Sequence, residues 1–216
     1  MKKRLLSLLV SLCLLLSVFP VSVSAASYSG SCGKNVNYSL VNGVMTISGT
    51  GAMERFAPTT VPWQDYRDEI QSVVIKEGVT TVGSCSFFQC ENLTSVTLPS
   101  TLKAVQEESF LGCTKLTAIT LPDGLEELWD AAFSYSGIQH IVVPDSVTLM
   151  RPDSLGACPA LISAVIGTGV TEPQSHTFAG SDALESVTFR GKLKYVSYCM
   201  FSVCRALKKI VLPDSV

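Results

Sequence analysis

From Ile70 onward the apolar residues recur with one period. Unit starts fall at Ile70, Leu93, Leu116, Ile138, Leu161, Leu184 and Leu207, so every step is 23 residues except the third, which is 22. A fixed period of this length predicts a solenoid, in which each unit is one coil stacked on the next. Each unit opens with an L-x-x-V-x-L segment, for instance Leu93-Thr94-Ser95-Val96-Thr97-Leu98. Alternation along a strand turns positions four and six inward and positions three and five outward. Proline closes this strand at Pro99, Pro122, Pro144 and Pro213, since it has no N–H to offer a ladder.

A second apolar pair follows at positions ten and thirteen: Val79/Val82, Leu102/Val105, Leu125/Leu128, Val147/Met150 and Leu193/Val196. Position eighteen is aromatic (Phe87, Phe110, Phe133, Phe178, Phe201), with Leu155 as the substitute, and position twenty-one carries Cys90, Cys113, Cys158 and Cys204. The expected coil has two short extended segments and a helical or 3-10 turn that carries the Phe and Cys. Stacking at about 4.8 Å makes a rod about 30–35 Å long with Phe above Phe inside it. The expected fold is a mainly β leucine-rich-repeat solenoid, with a parallel sheet on one face. The third unit has lost a residue near Ser136-Gly137. The fifth, with Ala164, Pro173 and Ser181 at key positions, is expected to be loose or kinked.

Residues 26–69 are off the period. Asn42-Gly43 between alternating segments predicts a tight hairpin, and the stretch is assigned as the cap over the open N-terminal end of the core. The solenoid runs over 70–216, about six and a half repeats, and its incomplete last unit suggests a longer protein. Before the cap, Lys2, Lys3 and Arg4, an apolar run to Phe19, and Val23-Ser24-Ala25 make residues 1–25 a secretory signal peptide. After its removal nothing is long and apolar enough to span a membrane.

Only 16% of the 216 residues are charged, against 47% hydrophobic. That is well below the quarter typical of globular domains. Without residues 1–25 there are 13 basic and 18 acidic side chains, which excludes a basic nucleic-acid binder. The low charge coincides with a smooth outer sheet face. Positions three and five read Ser72/Val74, Ser95/Thr97, Ala118/Thr120, His140/Val142, Ser163/Val165, Ser186/Thr188 and Lys209/Val211. The candidate binding residues are Ser95, Thr97, Ala118, Thr120, His140, Val142, Ser163, Val165, Ser186 and Thr188, on a concave sheet that would dock a protein or a surface glycan. The same residues also suit a pleated sheet with no partner.

Column sixteen reads Cys85, Glu108, Ala131, Asp153, His176 and Cys199, and is expected to face outward. Its last three members have the composition of a nucleophilic set, yet lateral neighbours run parallel rather than converging. His140 and His176 fall on different faces, and no metal, cofactor or catalytic motif is present. The protein is therefore read as a non-enzyme. Buried Cys at position twenty-one is expected to be reduced. Lys103 and Glu126, in one column, are expected to pair.

The L-x-x-V-x-L-P segment, the aliphatic pair, Phe and C-x-x-L at 23 residues resemble the BspA-like leucine-rich-repeat proteins of bacterial surfaces. So do Ser31-Cys32-Gly33, the Gly43 to Met53 stretch and Pro62-Trp63-x-x-Tyr66-Arg67. The resemblance implies a secreted or wall-attached, often adhesive solenoid, commonly one part of a modular protein. Two other readings fit the same pattern: a structural spacer presenting a C-terminal domain, or the non-catalytic part of a secreted enzyme.

Overall fold

The computed structural model describes residues 27–216; the export-signal reading of residues 1–25 lies outside them. Three antiparallel strands open the chain: β1 (Ser27–Gly33), β2 (Val36–Val41) and β3 (Val44–Gly49). Asn42 and Gly43 make the tight β2–β3 turn with φ of 52° and 77°, the left-handed pair that matches strand twist. The rod then begins, with β3 as its first rung. β3 pairs in parallel with β5 (Ser72–Ile75), and β5 pairs with β7 (Ser95–Thr97).

A second sheet on another flank starts at β4 (Gly51–Ala52). It continues through β6 (Val79–Val82), β8 (Ala104–Val105), β9 (Glu127–Leu128) and β11 (Leu149–Met150). The first sheet resumes at β10 (His140–Val143) and runs through β12 (Ser163–Ile166), β13 (Ser186–Phe189) and β14 (Lys209–Val211). The fold is thus a stack of parallel two-sided coils, as the period requires.

Two irregularities differ from expectation. The first sheet breaks at the third coil, where Ala118–Leu121 pairs with neither β7 nor β10. The third coil is the one shortened by a residue. Its compressed turn presses Gly137 against Thr114, so closely that a Cβ there would lie 2.1 Å from the Thr114 carbonyl oxygen. The fifth coil, expected to be loose or kinked, is irregular on one side only. β12 pairs fully with both neighbours, whereas the second sheet stops at β11. Pro173 lies in the next rung and has no N–H to continue the ladder. One coil further on, Val196 is exposed rather than part of the expected inward pair.

The core is a stack of like on like. Phe87, Phe110 and Phe133 lie face to face with centroids 5.4 Å apart, and Phe178 stacks on Phe201 at 5.7 Å. Leu155 interrupts the two runs. Trp63 starts the spine: its ring stacks on Phe87 at 5.8 Å and its Nε1 donates to the Ser86 carbonyl at 2.8 Å. Surface ion pairs obey the same lateral rule. Lys103–Glu126 (2.8 Å), Arg205–Asp182 (2.7 Å), Lys208–Glu185 (2.8 Å) and Lys194–Glu172 all join neighbouring coils. Each is solvent-exposed and contributes about 0–1 kcal/mol, which aids register more than stability.

The Phe turn has a strict backbone rule. Amides at positions sixteen, eighteen and twenty donate to the next coil, as in Cys85, Phe87 and Gln89 to the carbonyls of Glu107, Ser109 and Leu111. The intervening amides donate three residues back, as in Phe88 to Cys85 and Cys90 to Phe87. To alternate in this way the chain turns left-handed twice per coil. Positions sixteen and twenty have φ between 48° and 76° in all six complete coils, yet only Gly112 and Gly180 are glycines. A left-handed non-glycine residue costs about 1–2 kcal/mol. Ala157→Gly is therefore expected to stabilise the protein by about 1 kcal/mol, and Gly180→Ala to destabilise it by about 1–2 kcal/mol. A Cβ on Gly180 would meet only ordinary contacts at 3.5 Å, so its cost isolates the backbone. Urea unfolding followed by circular dichroism checks both, and a neutral Gly180→Ala would contradict the strain.

Candidate functional site

The first sheet, here called the platform, presents the expected rows. Parallel pairing sets His140 beside Ser163, Ser186 and Lys209, and Val142 beside Val165, Thr188 and Val211. On the other side of the break, Ser72 lies beside Ser95 and Val74 beside Thr97. The alternation is clean in β10 and β12, where Ile141, Val143, Ala164 and Ile166 are buried while Val142 is exposed. His140 Nδ1 and the Ser163 hydroxyl share a hydrogen bond of 2.8 Å along the row.

The row is not the continuous smooth surface expected. Ala118 and Thr120 lie in the unpaired segment, and the platform is split into halves around them. A cleft of about 550 Å³ lies between the two halves; its lining includes Ile119, Thr120, Asp123, His140, Val142 and Asp145. Arg190 also borders it. A second groove of about 500 Å³ flanks the other side of Thr120, against Val96, Thr97 and Leu98. Inward residues near the break lose cover: Val96, Leu98 and Ile119 are half-buried, where Val73, Ile75 and Ile141 are fully buried. The split was not read from the sequence. Its two available signals were the 22-residue step and Arg190 in the proline column.

Column sixteen does not assemble a catalytic set. No hydrogen bond joins Asp153, His176 and Cys199 among the described residues. His176 instead packs edge-on to Tyr198 at 5.7 Å, and the Ser134 hydroxyl donates to the Asp153 main-chain carbonyl at 2.9 Å. The column is also less accessible than expected: Cys85 is 6% exposed and the rest are half-buried. No cluster of three or more His, Cys, Asp or Glu able to hold a metal occurs among the described residues.

The Cys column has a packing role with one polar bond. The thiols of Cys113, Cys158 and Cys204 each donate at 3.1 Å to the carbonyl of the residue at position eighteen in a preceding coil: Phe87, Phe133 and Phe178. Ser181 makes the same bond to Leu155 at 3.3 Å. Serine there is an equivalent donor, not a defect. All seven described cysteines are free thiols. Burial pushes Cys32, Cys90 and Cys158 up to about 12. They are thus neutral near pH 7 and unsuited to nucleophilic work.

A further cluster lies beyond β9. The Trp129 ring takes the Arg151 guanidinium at 4.3 Å and that of Arg55 at 5.0 Å, and its Nε1 donates to Glu127 at 2.7 Å. Arg55 also reaches Glu107 at 3.5 Å, and Arg151 reaches Asp130 at 3.6 Å. These contacts tie the cap to the second, third and fourth coils, although the buried Arg151 Nε has no hydrogen-bond partner.

No helix of the described residues is long and apolar enough to cross a membrane. Residues 65–182 and 155–216 match the BspA type leucine rich repeat region, in six copies. No curated protein matches the chain. Among solved structures, the chain is similar to a leucine-rich repeat protein of Eubacterium ventriosum, at 20% identity over 87% of this chain and 78% of that one (TM-score 0.55). One from Bacteroides ovatus has 20% identity over 85% and 53% (TM-score 0.64). The leucine-rich repeat protein of T. pallidum has 22% over 82% and 90% (TM-score 0.63). Likeness at this identity establishes the fold alone.

Proposed function

Because the chain belongs to the BspA-type leucine-rich-repeat family, we propose that it is a secreted or surface-attached binding module that docks a protein partner, in adhesion, on its platform sheet. Export is supported by the basic, apolar and small-residue pattern of residues 1–25. The observation that carries the docking face is the pair of outward rows at positions three and five. They are in direct register from β10 to β14, are nearly free of charge, and lie apart from the surface ion pairs. Solenoids bind along extended faces of this kind. Ser95, Thr97, Ala118, Thr120, His140, Val142, Ser163, Val165, Ser186 and Thr188 are the contact residues in this reading.

The test is a triple variant, Thr97→Lys, Thr120→Lys and Thr188→Lys, assayed for binding to host-cell surfaces and immobilised matrix proteins. These side chains point away from the core, so the coil stays intact while three charges meet the partner. At least a tenfold loss of binding is expected, since unpaired like charges in an interface cost several kcal/mol. Unchanged binding would move the function off the platform and favour a rod that spaces another domain.

A further inference from the structure

The break in the platform leaves backbone unpaired. Among the described residues, the amides and carbonyls of Ala118, Ile119, Thr120 and Leu121 make no backbone hydrogen bond. β10 is the first strand of its sheet, so its edge toward this segment is open as well. One bond, from the Gln139 amide to the Thr117 carbonyl at 3.1 Å, closes the start of the gap, and the 550 Å³ cleft opens beyond it.

We propose that this cleft receives an extended peptide segment of the partner protein. The segment pairs its own backbone with Ala118–Leu121 and β10, and places a basic side chain between Asp123 and Asp145. The inference rests on the platform reading and gives it an address. Three observations carry it. Open strand edges are templates for strand addition, in which main-chain bonds supply affinity. This suits outward rows at positions three and five that hold none of the Trp, Tyr and Arg residues that anchor side-chain-driven interfaces. Next, Ile119, Val142 and Pro144 give the cleft apolar walls for the alternate side chains of an extended chain. Last, the charges are lopsided. Asp123 accepts no hydrogen bond from the described residues and Asp145 accepts one, from the Thr168 amide at 2.8 Å. Against these two carboxylates the cleft holds a single guanidinium, Arg190. The cleft lining has no Trp or Tyr face for a sugar ring to stack on, which favours peptide over glycan.

The probes are peptides selected from a random nine-residue library on the full chain, read by fluorescence anisotropy and amide hydrogen exchange. Selected peptides are expected to contain Lys or Arg and to slow exchange at Ile119 and Thr120 at least tenfold. They should lose at least tenfold in affinity when one backbone N–H is methylated. Asp123→Lys, at an exposed rim position, should produce a similar loss without disturbing the fold. Thr120→Pro should do so too, by deleting an amide with no partner inside the protein. Peptides that ignore Asp123→Lys but are blocked by Thr188→Lys would overturn the cleft while leaving the platform reading standing. Failure to select any peptide sensitive to either change would overturn both. Binding of arrayed glycans that Asp123→Lys abolishes would reassign the cleft to sugar and end the peptide proposal.

Discussion

Phe110→Ala is expected to remove about 3–5 kcal/mol of unfolding free energy, the cost of truncating a fully buried aromatic side chain. Phe110 has no exposed surface and stacks on Phe87 and Phe133 at 5.4 Å on both sides, with interplanar angles of 14° and 3°. In a solenoid, stability is a sum over coils and the interfaces between neighbours. The cavity therefore weakens two interfaces, coils one–two and two–three, and leaves those beyond coil three untouched. Phe201 provides the control. It is half-buried and stacks on one ring only, so Phe201→Ala should cost less than half as much. Phe110→Leu should cost under about 1.5 kcal/mol, because Leu155 already fills the same position in coil four. Urea unfolding by circular dichroism orders the three variants. Equal losses for Phe110→Ala and Phe201→Ala would rule out a shared spine.

Much of this arrangement is legible as spacing. In a coil of fixed length, residues 23 apart become lateral neighbours, so the sheet registers and the Phe stack follow from the unit alignment alone. The Lys103–Glu126 pair follows in the same way. Trp63 could have been read too: it precedes Ser86, whose carbonyl it binds, by the same 23 residues. What was not legible depends on the backbone. Position sixteen holds Cys, Glu, Ala, Asp, His and Cys, and only the demand that alternate amides point along the rod makes all six left-handed. Residue type says nothing of φ at such positions, so spacing alone predicts a free outward column where the structure has a half-buried one.

The platform shows a related limit. The shortened step is assigned to Ser136-Gly137, just before β10, and what spacing does not reveal is that this strand loses its pairing to the coil before it. On the Gly137 flank the stack is tight, and the second sheet runs unbroken from β8 through β9 to β11. The platform strand of the same coil is the one left without partners. The deletion is thus absorbed where the shortened chain enters β10, three residues after Gly137, while the second sheet, further along the chain in both directions, keeps its ladder. That is why most of the candidate binding residues lie in the expected rows, while Ala118 and Thr120 lie in the break, between the cleft and the second groove.

Alkali should unfold this protein earlier than its sheet content suggests, and the buried thiols are the reason. Burial pushes Cys90 and Cys158 from an ordinary value near 9 up to about 12, and Cys113 well above 9. For a thiol, a raised value means that the folded state holds its proton more tightly than the unfolded chain. The stability linked to that proton is intact below pH 9 and is lost as pH rises from 9 toward 12. At one unit above the ordinary value Cys90 and Cys158 each give up about 1.4 kcal/mol, so the two together remove roughly 3 kcal/mol at pH 10, and Cys113 acts in the same direction. That is a large part of a domain's total of about 5–15 kcal/mol. Tyr28 and Tyr38 are raised as well, first by burial, and act in the same direction at higher pH. The triple variant Cys90→Ser, Cys113→Ser and Cys158→Ser separates the two sources. Serine already holds this position in coils three and five, and in coil five it keeps the hydrogen bond to the preceding carbonyl. Serine does not ionise in this range. The wild-type thermal midpoint is expected to fall steeply as pH rises from 9 toward 11, while that of the triple variant stays nearly level. An equal fall in both proteins would show that the thiols are not what alkali attacks.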